Sequence, residues 1–323
     1  MIDFYPFKGK NIIVSPLDWG LGHASRMVPI INYLSKNNKV LVVCGPNAMR
    51  FLMSEIQNVE IIKIDDIPIV YPKNKISIFT ILKWIPIVFF NSIREHFFVK
   101  KIIKQRKIDA VFSDNRYGLL FKNIECYIFT HQIFPKLPKG FKLLENIVSF
   151  ISYHYLSLFK KCFIPDYEKG YSLSGTLASD KINNPNKFVR IGILSRFSSY
   201  NNSIFIKKYD YLVLISGQEK LRTEFENQLL AKFKTSNKKI LFVRGIPLES
   251  PKIENFNNIE FINMLTGNEL AKAILSSKIV VCRSGYSTIL DLVSLRAQAI
   301  LIPTPGQTEQ EYLAKRLNYK LEF

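Results

Sequence analysis

Cysteine is scarce: the 323 residues contain four, and no two form a C-x-x-C pair. Cys44, Cys126, Cys162 and Cys282 are scattered, three of them within apolar runs. Neither a disulfide framework nor a zinc site is indicated, so no metal is expected. Low-complexity tracts and internal repeats are also missing. No block of five or six consecutive basic residues occurs, which argues against a nucleic-acid-binding tail. A signal peptide is lacking too, because the apolar run 12–14 is too short and gives way at once to a polar loop. A cytoplasmic protein is expected.

What is present is globular: 47% hydrophobic and 22% charged residues, enough for two domains that each bury a core. The formal net charge of +19 is uneven, with +13 in residues 1–195 and +6 in 196–323. Such a field favours phosphorylated substrates or acidic lipid; a Lys-, Asn- and Ile-rich composition accounts for the same number without any function. The stretch 76–93, ISIFTILKWIPIVFFNSI, has the length of a membrane span, but Lys83 and Pro86 interrupt it and Lys73, Lys75, Arg94 and Lys100 flank it. A helix lying in a membrane interface fits better, and a helix packed inside the domain fits equally well. Residues 141–163 have the same apolar-aromatic character and end in Lys160 and Lys161.

Strand-like runs at 10–14, 39–43, 59–64, 110–113 and 126–130 alternate with helical segments, and so do runs at 211–215, 240–243, 259–262, 279–282 and 299–302. Alternation of this kind predicts α/β architecture with doubly wound parallel sheets, divided near Ser195. Ligands of such sheets bind beyond the carboxyl ends of the strands. The loops after residues 14, 113 and 130 are therefore expected on one rim, gathering Gly20, Gly22, His23, Arg26, Asp114, Asn115, Arg116 and His131. His23 sits at a helix N-terminus, which disfavours imidazolium and suits a proton acceptor. Asp114 is either a second base or the group that orients His23, and Arg26 is placed to reach an acceptor phosphate. A capping or packing histidine is the plainer alternative.

In the second half, VVCRSGYSTILDLVSL reads as strand, tight turn and helix. Gly285 lets the backbone approach a ligand, Ser287 and Thr288 are good N-cap residues, and their neighbouring amides can face a phosphate. Arg283 adds a cation beside Ser284, and Asp291, one turn on, can accept from ribose hydroxyls. The next loop, PTPGQTEQEYLA, brings Gln307, Glu309 and Gln310 to the same rim. R-S-G-x-x-T-x-x-D resembles the R-S-G-x-x-T-x-x-E signature of the family-28 glycosyltransferases, which include the enzyme that adds N-acetylglucosamine to the lipid-linked peptidoglycan precursor. WGLGHASR is similar to that family's glycine-rich loop with its terminal histidine. Ser216, Gly217 and Gln218 resemble its diphosphate loop, and IGILSR, ending in Arg196, its linker arginine segment. Arg244, at another strand end, is a further donor-side candidate. Asp replaces the usual Glu at 291, and Leu313 replaces a usual asparagine.

The resemblance implies the GT-B fold: two facing Rossmann-like domains, 1–195 on the acceptor side and 196–323 binding the nucleotide sugar. It also implies inverting, metal-independent and cofactor-free transfer from a UDP-sugar, by default UDP-N-acetylglucosamine, to a glycan or lipid-linked acceptor. The setting implied is the bacterial cell envelope, at the inner face of the cytoplasmic membrane. The family continues beyond the point that corresponds to Phe323, so a truncated or a shortened C-terminal domain is an expectation, with a partner subunit if the short form is natural. A sugar-nucleotide epimerase or hydrolase, and a non-catalytic sugar-nucleotide-binding subunit, are the alternatives.

Overall fold

The computed structural model describes residues 7–65, 78–138, 140–168, 170–179, 182, 184–198, 200, 205–247, 249–251 and 256–322. They form two compact units that meet in sequence at Leu194 and Ser195. The first opens with NIIVSP, a nearly continuous apolar run; such a run suits a strand covered on both faces, and it forms the buried β1 (Asn11–Pro16). Then follow α1 (Leu21–Leu34), β2 (Lys39–Cys44), α2 (Pro46–Glu55), β3 (Glu60–Lys63), α3 (Ile78–Arg106), β4 (Ala110–Asp114), β5 (Glu125–Phe129), α4 (Lys142–Ser157), β6 (Lys161–Ile164) and β7 (Phe188–Arg190). All seven strands are parallel, in the order β3-β2-β1-β4-β5-β6-β7. Neighbours diverge in sequence at β1 and β4, where the winding reverses. That reversal leaves a crevice at the strand carboxyl ends.

Helices α1 and α2 cover one face, with Met27, Ile30, Ile31, Leu34, Phe51 and Leu52 packed on Phe112 and Phe129. Helices α3 and α4 cover the other, through Val99, Ile102 and Leu156 against Ile13, Val111 and Ile128. Helix α3 is also tied by polar contacts. Its buried Asn91 and Glu95 face inward, and His96 Nδ1 lies 2.9 Å from the Gly118 carbonyl. A Cβ on Gly118 would collide with the Ser92 carbonyl, so glycine is needed for this close approach. The described part of the apolar stretch 76–93 forms the N-terminal half of the long helix α3. Residues 76–77, with Lys73 and Lys75, lie outside the described residues, as do the side chains of residues 78–83, Lys83 included, and of residue 85. The second apolar-aromatic stretch divides into α4 and β6.

The outer faces of α3 and α4 keep apolar side chains in solvent. Phe89, Phe90, Ile93 and Phe97 are exposed on α3, and Leu144, Ile147, Phe150 and Ile151 on α4. Phe90, Phe97 and Phe150 are each 64% accessible, far more than a helix spends on chance apolar exposure. No helix among the described residues is long and apolar enough to cross a membrane.

The second unit repeats the winding: β8 (Tyr209–Leu214), α5 (Leu221–Phe233), β9 (Ile240–Val243), β10 (Ile259–Ile262), α6 (Gly267–Leu275), β11 (Ser277–Arg283), α7 (Tyr286–Ser294), β12 (Ala299–Ile302), α8 (Thr308–Arg316) and β13 (Lys320–Leu321). Its order is β10-β9-β8-β11-β12-β13, parallel except for β13, which runs antiparallel on β12. The reversal falls between β8 and β11. Strand ends predicted from the apolar runs agree within a few residues; β6, β7 and β13 had no expectation.

Candidate active site

In the first unit the strand ends are drawn together by backbone hydrogen bonds that extend the ladder: Leu17 N–H to the Asp114 carbonyl at 3.1 Å and Asn115 N–H to that of Phe129 at 3.2 Å. Gly20 caps α1 with φ 153°, a conformation that favours glycine. His23 falls in the first turn, its side chain 21% accessible. One turn on, Arg26 is only 2% exposed and Asp114 is fully buried. The Arg26 guanidinium grips both Asp114 oxygens, through Nε at 2.6 Å and through one terminal nitrogen. That terminal nitrogen lies 3.0 Å from His23 Nδ1, and the other lies 3.2 Å from His131 Nδ1. His23 Nδ1 is also 3.4 Å from Asp114 Oδ2.

Burial by itself pushes the Asp114 carboxyl up. The Arg26 cation, with His23 beside it, more than offsets this and holds the pKa at about 2. Asp114 is therefore a fixed anion and a poor proton acceptor. Arg26 corrects the expectation of a phosphate ligand, since its guanidinium points into this cluster. Arg116 is corrected likewise. It is 1% exposed, donating to the Pro16 carbonyl at 2.9 Å and to Glu95 at 2.7 Å. Asn115 takes φ 53°, and its buried Oδ1 has no hydrogen-bond partner among the described residues. Asp18, which carried no expectation, caps α2 by accepting from the Ala48 N–H at 2.7 Å and the Asn47 N–H at 3.2 Å.

In the second unit a notch of about 60 Å³ lies at the β8/β11 reversal, lined by Ser216, Gly217, Gln218, Arg283, Gly285 and Gln310 among others. Helices α5, α7 and α8 all begin there, and none has a side-chain cap hydrogen bond. Helix N-termini turn positive dipole ends toward an anion. Gly285 is the N-cap of α7, so Ser287 and Thr288 contribute first-turn amides rather than caps. Arg283 packs its guanidinium 3.6 Å from the Phe225 ring centre and donates to the Pro303 carbonyl at 2.7 Å. Burial lowers its pKa to about 10, so it stays a cation at neutral pH.

Gln310 stiffens the following loop. It accepts from the Thr304 N–H at 2.9 Å and donates to Gln307 Oε1 at 2.5 Å, while Ser284 donates to its carbonyl at 2.8 Å. Gln307 and Thr304 also line the notch; Glu309 stands in the first turn of α8. Asp291 accepts from the Ser195 hydroxyl at 2.5 Å and lies 3.8 Å from Arg196 Nε. The family-type acid and linker arginine thus meet, with Ser195 as a partner that no sequence signal announced. Arg244 departs from its expected donor role: it pairs with Glu226 at 2.6 Å and donates to the Pro251 carbonyl at 2.9 Å.

A cavity of about 360 Å³ in the first unit opens at the other end of the sheet around Phe121, Glu125, Lys160 and Lys187. It faces the amino ends of β5 and β6, away from the rim where such sheets bind ligands.

Residues 207–322 match the family model for the Glycosyltransferase family 28 C-terminal domain. No curated protein matches the sequence. Among solved structures the chain is similar to the glycotransferase of kitacinnamycin, at 10% identity and TM-score 0.64 over 97% of this chain and 85% of that one. It is similar to MurG of Acinetobacter baumannii at 15% identity and TM-score 0.51, over 96% and 83%. Spinosyn rhamnosyltransferase SpnG, complexed with thymidine diphosphate, aligns at 9% identity and TM-score 0.62 over 96% and 85%. At these identities the structures speak to fold, and that fold is GT-B.

Proposed function

We propose that this chain, a glycosyltransferase of the GT-B fold whose second unit is a family-28 C-terminal domain, moves a sugar with inversion from a UDP-sugar to an acceptor hydroxyl. N-acetylglucosamine is the default sugar. The observation that carries the reading is the notch, where three uncapped helix N-termini and Arg283 converge on a space suited to a diphosphate. As the bond from the anomeric carbon to the diphosphate breaks, negative charge grows on the leaving oxygens, and these donors meet it. Asp291, fixed through Ser195, is the ribose acceptor in this reading, with Arg196 beside it.

On the acceptor side His23 takes the hydroxyl proton, and the fixed Asp114 anion stabilises the imidazolium that forms. Asn115 and His131 line that side. The apolar outer faces of α3 and α4, in a half of the chain that carries +13, support a lipid-linked acceptor at an anionic membrane surface.

A thermal-shift screen of UDP-, dTDP- and GDP-linked sugars tests the class and the base together. One donor at about 100 times its Kd should add about 2.7 kcal/mol of stability and raise Tm by several degrees. No shift with any of them at millimolar concentration overturns the reading.

A further inference from the structure

The Arg26 cluster contains a conflict at a single atom. An arginine side chain has N–H donors and no acceptor. Its terminal nitrogens lie 3.0 Å from His23 Nδ1 and 3.2 Å from His131 Nδ1, so both ring nitrogens must present lone pairs. A neutral imidazole whose Nδ1 accepts carries its proton on Nε2. For His23 this is the wrong form for a base that works through Nε2. The opposite form needs a proton on Nδ1, given to Asp114 Oδ2, which waits at 3.4 Å. Arg26 is the nearer partner, and Oδ2 already accepts from Arg26 Nε at 2.6 Å.

We infer that Arg26 is a positioning residue that sets the tautomers of both histidines. In the resting protein His23 and His131 hold their protons on Nε2. His23 becomes base-competent only when its ring leaves Arg26 and its Nδ1–H donates a hydrogen bond to Asp114. That exchange takes a proton from water at Nδ1 and releases the one at Nε2 to water, with no change in net charge. His131, held the same way, carries its proton on Nε2. Tyr117, which feels both Asp114 and Arg26, stays neutral because burial raises its hydroxyl to about 12. The ion pair of Arg26 and Asp114 is therefore what decides between the two forms. The base role of His23 rests on the function proposed above, whereas the tautomers rest on the geometry alone.

The experiment is ¹⁵N-histidine NMR of the full chain at a pH where the imidazoles are neutral. Only four histidines are present, and His96→Gln and His154→Gln remove the two outside the cluster from the spectrum. Unprotonated Nδ1 and protonated Nε2 are expected for His23 and His131; a protonated Nδ1 in His23 overturns the inference. Arg26→Lys should move the His23 proton to Nδ1, and an unchanged His23 tautomer there removes Arg26 from the role. Should that variant not fold by circular dichroism, Asp114→Asn replaces it. With Asp114 gone, His23 should stay wholly in the Nε2–H form and turnover should fall by about 10³ to 10⁴-fold. A protonated Nδ1 in that variant also overturns the inference. Full turnover in His23→Ala, alongside an Nε2–H spectrum for His23 in the unsubstituted chain, would remove the base reading and leave the tautomer assignment standing.

Discussion

The two units share a winding and divide their polarity in opposite ways. The first turns its charge inward: Arg26 closes on Asp114 and two histidines, Arg116 closes on Glu95, and the outer helices show phenylalanines to solvent. The second starts α5, α7 and α8 without side-chain caps at one notch, with Arg283 propped over Phe225 beside them. A buried ion pair holds a geometry and needs its partner in place. An open helix N-terminus binds whatever anion arrives. In the proposed function, one rim holds a proton acceptor and the other receives a leaving group.

The sharpest way to break that contrast is a pair of variants. His23→Ala should lower turnover by about 10² to 10⁴-fold while calorimetry shows UDP affinity unchanged. Asp291→Ala should weaken UDP binding by about tenfold, the worth of a hydrogen bond to a charged group. A His23→Ala enzyme that loses UDP affinity, or an Asp291→Ala enzyme that keeps it, would merge the two roles.

Acid provides a smaller effect confined to the first unit. The Asp114 pKa is depressed from 3.8 to about 2, so its contribution is complete above about pH 4 and is lost as pH falls through 2. One pKa unit is about 1.4 kcal/mol, which makes the loss about 2 kcal/mol. Urea unfolding between pH 5 and pH 2 should show it, and Asp114→Asn should flatten the dependence. An equally steep slope in the variant would place the acid-sensitive group elsewhere.

The outer surface offers the mildest test. Replacing Phe90 and Phe97 by serine should reduce co-sedimentation of the full chain with anionic liposomes several-fold, without moving the thermal shift produced by a nucleotide sugar. Unchanged sedimentation removes the membrane from the acceptor reading.

Much of the fold was legible because parallel strands buried on both faces announce themselves as apolar runs. NIIV, VLVV and ILFV needed no tertiary information. The strands that escaped had other signals laid over them. KCFI follows an aromatic helix without a break, FVR is three residues long, and KL pairs antiparallel at an edge. At the rims, residues named for their place after a strand do line the ends of β1, β4, β8 and β11, because chain order fixes which loops share an edge. Arginines were the weak point. Arg26, Arg116 and Arg244 each sit in motif-like surroundings, yet their partners lie 88, 21 and 18 positions away, and nothing local marks a distant carboxylate as the one that will neutralise them.

The sequence by itself determined two α/β units, the loops that carry His23 and Gly285, and the excess of positive charge in the first half. Only the tertiary structure decided which of those charges are spent inside, that Ser195 holds Asp291, and that one guanidinium stands between His23 and Asp114. The reason is physical: apolar periodicity acts over neighbouring residues, whereas a buried charge takes its partner from whatever strand the fold brings beside it.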